Sequence, residues 1–161
     1  MMNVMEWIIG RDVTRRWLAN SIFPLVVDLD RGSLCGVQED KPIEHLSALG
    51  RAENREMAHS GNLLYYSKGL WVYETERLLS SFEVFFNSKE FSPFLGEIRY
   101  GGQAMLLHKD TTADQVKALL GTPDEESVED GETELCYSPN DNVYFVVNFN
   151  EAGKLHSIDF V

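Results

Sequence analysis

The chain has 161 residues and is 43% hydrophobic, enough to bury a core as one domain or as two fused halves. Twenty-six acids against 14 bases give a formal net charge of −12. That balance disfavours nucleic acid and anionic membranes as partners, because their phosphates would be repelled. No apolar run reaches the ~20 residues of a membrane span, and residues 1–10 place Glu6 inside their apolar stretch without a basic leader, so a cytoplasmic address is expected.

Residues 3–22 carry an amphipathic helical pattern through Val4, Trp7, Ile8, Trp17, Leu18 and Ile22, broken near Gly10. Asp12 is a fitting N-cap for the second piece, and Arg11, Arg15 and Arg16 make its other face basic. Residues 1–23 are therefore expected to be a helical extension packed on the body.

The remainder, 24–90 and 91–161, reads as one pattern written twice with an offset of 71. Leu49-Gly50 matches Leu120-Gly121, and Leu64, Tyr66 and Ser67 match Leu135, Tyr137 and Ser138. Each half opens on a hairpin: Leu25–Leu29, a turn at Asp30-Arg31-Gly32 and Leu34–Val37, then Glu97–Tyr100, a turn at Gly101-Gly102 and Ala104–His108. A short helix follows in each, near Lys41–Leu49 and Thr112–Leu120. Thr112 with Gln115 forms a capping box, Asp40 with Pro42 fits a helix start, and Gly50 and Gly121 suit left-handed C′ positions. Three strands complete each half: 62–66, 70–74 and 80–86, then 133–137, 143–149 and 154–161, the last pair joined by the turn Asn150–Gly153.

The pattern Thr112-x3-Val116-x2-Leu119-Leu120-Gly121-x-Pro123, followed by a strand with Tyr137 and a final Ile158-x-Phe160, resembles the small domain of the SmpA/OmlA outer-membrane assembly lipoproteins. It also resembles the tandem units of the β-lactamase inhibitor protein. The first half departs from it, with Ala52 in place of the proline and Leu46 out of step with Val116. The resemblance implies an α+β fold of two tandem units, each a short helix packed on one face of an antiparallel sheet, and a habit of binding proteins across an open sheet face. It implies no catalytic residue. The lipoprotein role conflicts with the missing lipid-attachment cysteine near the start, and no inhibitory loop matches residue by residue.

Reaction chemistry does not emerge from the residues. Asp28, Asp30 and Glu39 have part of a calcium-loop spacing, but the glycine falls at the wrong place and the segment reads as a hairpin. His45, His59, His108 and His156 lack metal-ligand spacing, and Cys35 and Cys136 read as free thiols. Neither a metal nor another cofactor is expected.

Two surfaces are candidates for a partner. Strand alternation assigns Leu64, Tyr66, Leu70, Val72, Val84 and Phe86, with their second-half matches, to the core. It sends Leu63, Tyr65, Trp71, Tyr73, Glu83 and Phe85 to the opposite face of the first unit, and Glu134, Cys136, Tyr144, Val146, Ser157 and Asp159 to that of the second. Tyr65, Trp71, Tyr73 and Tyr144 are the aromatic anchors of such a face. The second surface is a loop, Asp124–Glu134, with seven acids and no base in eleven residues, among them Glu126, Glu129, Asp130, Glu132 and Glu134. Its counterpart 53–63 has only Glu53 and Glu56, beside Arg55, so the shared pattern does not demand the charge. These features point to a non-enzymatic protein-binding module of inhibitor or immunity type that engages a basic protein. The alternatives are a small-ligand binder or enzyme with a pocket between the two sheets, and a homo-oligomer using the aromatic face.

Overall fold

The computed structural model describes residues 12–19, 25–55 and 57–161. Short hairpins open each half: β1 (Val26–Asp28), β2 (Ser33–Leu34) and β3 (Val37–Gln38) in the first. Strands β4 (Asn62–Tyr65), β5 (Leu70–Thr75) and β6 (Leu78–Phe85) follow. The second half supplies β7 (Glu97–Tyr100), β8 (Gln103–Met105), β9 (Glu125–Glu129), β10 (Glu132–Asn140), β11 (Val143–Phe149) and β12 (Leu155–Phe160). Among the described residues the sole α-helix is α1 (Ala113–Leu120).

The architecture is mostly β, which overturns the expected pair of helix-on-sheet units with a helical extension. Both halves give strands to both sheets. The five-stranded sheet runs β3-β2-β1-β7-β8, and the seven-stranded sheet runs β4-β5-β6-β12-β11-β10-β9. β1 and β7 join in parallel as Val26↔Glu97, Val27↔Ile98 and Asp28↔Arg99, three pairs each 71 residues apart. β6 and β12 join antiparallel about Val84↔Ile158. A single hydrophobic core fills the space between the sheets, with Val27, Leu34 and Ile98 from one and Val72, Val84, Phe145 and Ile158 from the other.

The first expected helix, near Lys41–Leu49, is a 3-10 turn over Ile43–Leu49. Its N-cap is Pro42, which makes no side-chain cap, and Asp40 sits at φ +61° rather than capping. The second helix forms because Thr112 and Gln115 complete the expected capping box, satisfying two orphan N–H groups. Val116 and Leu120 of that helix are buried. Gly50 and Gly121 end these elements with positive φ but extended ψ (79°, −173° and 89°, −167°), a region open almost solely to glycine and distinct from the expected left-handed helical cap.

The described part of the N-terminal segment is a run of turns, not a helix. The Asp12 carboxylate accepts hydrogen bonds from the Thr14 N–H and hydroxyl at 2.9 and 2.7 Å. Buried Thr14 in turn accepts from the Ala52 N–H at 3.0 Å. Trp17 is half-buried against the core. Trp7, Ile8 and Ile22 lie outside the described residues.

Candidate functional site

The seven-stranded sheet has a core side and an outer side, and register fixes what each carries. One row across the outer side reads Leu64, Trp71, Glu83, Asp159, Val146, Cys136, Glu125. The next reads Phe85, Ser157, Asn148, Glu134, Ser127. Tyr73 stands two residues from Trp71 on β5, and Tyr144 two from Val146 on β11, so both share this side. Trp71, Tyr73 and Tyr144 are 37%, 40% and 40% exposed, large rings only partly withdrawn from water. The two rows carry four carboxylates and neither lysine nor arginine.

Tyr65 is not on this face. It is fully buried, and its hydroxyl donates to the Gly50 carbonyl at 3.0 Å. Leu63 and Tyr65 point inward while Leu64 and Tyr66 are half-exposed, the reverse of the assignment from alternation. The true partner of Tyr137 is Tyr65, since Tyr137 likewise donates to the Gly121 carbonyl at 3.3 Å. Aligning Tyr66 with Tyr137 put β4 one residue out, and a one-residue slip exchanges the faces of a strand.

The acidic stretch is a hairpin rather than a loop. β9 and β10 pair from Glu129↔Glu132 to Glu125↔Cys136 around Asp130 and Gly131, both at positive φ. The Asp-Gly pair is the residue choice for a two-residue turn that matches strand twist, and it was present in the sequence as the signal. Glu129, Glu132 and Glu134 fall on the outer side with Glu125, and Asp130 sits at the tip. Glu126 faces the other way and pairs with Lys117 of α1 at 2.7 Å, so it leaves the candidate surface. β9 is also the sheet edge, with every residue exposed, and charge on an edge discourages strand addition.

Sequence reasoning placed Glu83 and Asp159 on this face without assigning them a role. They stand directly opposite one another on β6 and β12. Burial, then the neighbouring Glu83 charge, pushes the Asp159 carboxyl up to about 6. Burial also raises Glu83, against the lowering effects of its hydrogen bond with Ser157 and of His156. Among the described residues no lysine or arginine forms an ion pair with either. Along the same face the Tyr144 hydroxyl is pushed up to about 12, first through its hydrogen bond with Cys136, then by burial and by the charges of Cys136, Glu125 and Glu134.

A recess of about 460 Å³ does open between the turns of the small sheet and the rim of the large one, lined by Arg31, Gln38, Asp40, Lys41, Phe82 and Tyr144 among others. Neither histidine nor cysteine lines it. Cys35 occupies the β2–β3 turn, where burial raises its thiol above the usual value and keeps the nucleophilic thiolate scarce. Among the described residues no group of three or more histidine, cysteine, aspartate or glutamate side chains is placed to hold a metal ion, and no helix is long and apolar enough to cross a membrane.

Compared with known proteins, the chain matches no family model, no curated protein and no solved structure. The resemblance to the inhibitor protein and the assembly lipoproteins thus rests on the sequence motif alone.

Proposed function

We propose that the protein is a cytoplasmic, non-enzymatic binding module that docks a basic protein on the outer face of its large sheet, in the manner of an inhibitor or immunity protein. The observation that carries this reading is the composition of that face: three exposed aromatic rings amid carboxylates, with neither lysine nor arginine in its two register rows. Aromatic anchors with a charged surround are the anatomy of a protein interface. Single-sign charge favours one class of partner and speeds its arrival. A second copy of this chain fits poorly, because identical acidic rows would face one another. Nucleic acid is disfavoured for the same reason.

The test is retention of proteins from a cell lysate on the immobilised chain at low and moderate salt. A parallel column carries a variant with Glu129→Ser, Asp130→Ser, Glu132→Ser and Glu134→Ser. A basic protein held by the wild type, released by salt and associating more slowly with the variant supports the reading. Retention that is indifferent to both salt and substitution overturns it.

A further inference from the structure

Resting on that reading, we propose that the recess formed by Trp71, Tyr73, Glu83 and Asp159 receives one lysine or arginine side chain of the partner and anchors the complex. Trp71, Glu83 and Asp159 lie abreast on three adjacent strands. Tyr73 flanks them two residues along β5, and the four side chains line a depression of about 270 Å³ together with Asn62 and Ser81. That volume lies just below the range of about 300–1,000 Å³ that holds drug-sized ligands, and it suits a single long side chain. The Trp71 indole N–H donates to the Asn62 side-chain oxygen at 3.2 Å, which ties the ring at the edge of the recess.

The chemistry asks for an organic cation. Like charges placed directly opposite on adjacent strands repel and destabilise the sheet. Glu83 and Asp159 are held that way, half-buried, with Ser157 as the hydrogen-bond partner of Glu83, His156 easing Glu83 alone, and no lysine or arginine among the described residues paired with either. An ammonium or guanidinium entering the recess would meet two carboxylates and two electron-rich aromatic side chains at once, combining charge-assisted hydrogen bonds with cation–π attraction. A divalent metal ion would find only this pair of carboxylates, since among the described residues no third histidine, cysteine or carboxylate joins them to hold one.

The full-length, isotopically labelled chain would be titrated with blocked pentapeptides Gly-Gly-Lys-Gly-Gly, Gly-Gly-Arg-Gly-Gly and Gly-Gly-Glu-Gly-Gly, and separately with calcium ion. The readout is the two-dimensional amide spectrum, including the Trp71 indole N–H. Saturable shifts at Trp71, Tyr73, Glu83 and Asp159 with the lysine or arginine peptide, absent with the glutamate peptide, support the proposal. The combined variant Glu83→Gln, Asp159→Asn keeps side-chain shape and should bind about tenfold more weakly or worse, the scale of a lost charge-assisted contact. A response to calcium that matches or exceeds that to the cationic peptides overturns it. So do shifts confined to the hairpin 125–134, though that result leaves the protein-docking reading standing. A saturable response in the recess with no protein retained from lysate upholds the cation recess and overturns protein docking.

Discussion

The Tyr65 hydroxyl donates to the Gly50 carbonyl 3.0 Å away, joining the last inward residue of β4 to the glycine that ends the 3-10 turn Ile43–Leu49. Tyr137 and Gly121 make the same link at 3.3 Å, where the contact is only partly buried. Each glycine leaves its element with a carbonyl outside the regular ladder, and a phenol reaching across from the adjoining strand satisfies it. Deleting the buried hydroxyl in Tyr65→Phe strands the Gly50 carbonyl and should cost about 1–3 kcal/mol in urea unfolding. Tyr137→Phe, where water can substitute, should cost less, roughly 0.5–1 kcal/mol. Equal losses would show that the hydrogen bond is not the source of the difference.

Gly50 and Gly121 share a backbone conformation but not surroundings. A Cβ on Gly50 would come within 2.8 Å of the Ala19 Cβ and 2.9 Å of its backbone, whereas a Cβ on Gly121 meets nothing within 4 Å. Gly121→Ala should therefore lose only the strain of the disfavoured backbone region, about 1–3 kcal/mol. Gly50→Ala adds a collision and should displace the segment 12–19. Comparing the two unfolding midpoints, with protease sensitivity near Ala19 as a second readout, separates strain from contact. Equal destabilisation with Ala19 still protected would contradict the close approach.

The carboxyl pair on the outer face makes stability depend on pH in a direction that can be worked out. The Asp159 carboxyl sits at about 6 in the folded chain and near 4 once unfolded. Between those values the folded state holds a proton that the unfolded state releases, so stability falls as pH rises through the window and levels off above it. Raised Glu83 acts in the same sense. Asp159→Asn removes the Asp159 share of the dependence and leaves that of Glu83, and the variant should be more stable than the wild type above pH ~6, with the gap closing toward pH ~4. His156 on β12 modulates Glu83, and Glu83 is the charge that moves Asp159, so both remain in the variant as internal controls. Urea midpoints across that range would check it; a gap that widens toward acid would refute the sign. A site that costs stability at neutral pH is what a surface kept for binding looks like.

The strands and α1 were legible because their signals are local. Alternating apolar runs at 70–74 and 143–149, the Thr112–Gln115 capping box and the terminal glycines each act within a few residues. The acidic hairpin is legible too, through Asp130-Gly131, although its seven acids within eleven residues read first as a solvated loop. The 3-10 character of Ile43–Leu49 follows from a start at Pro42 without a side-chain cap, a weaker signal than the apolar spacing that suggested a helix.

Sequence by itself determined that the chain alternates as strands, that its charge is concentrated at 124–134, and that Trp71 and Tyr73 share one side of their strand. Only the tertiary structure decided that β1 joins β7 and β6 joins β12, merging both halves into two shared sheets around one core. It also decided the register of β4, which buries Tyr65, and the meeting of Glu83 with Asp159 from positions 76 residues apart. The physical reason is that alternation specifies two faces but not which one is buried. That choice, and which distant strand lies alongside, is made by packing the whole core at once.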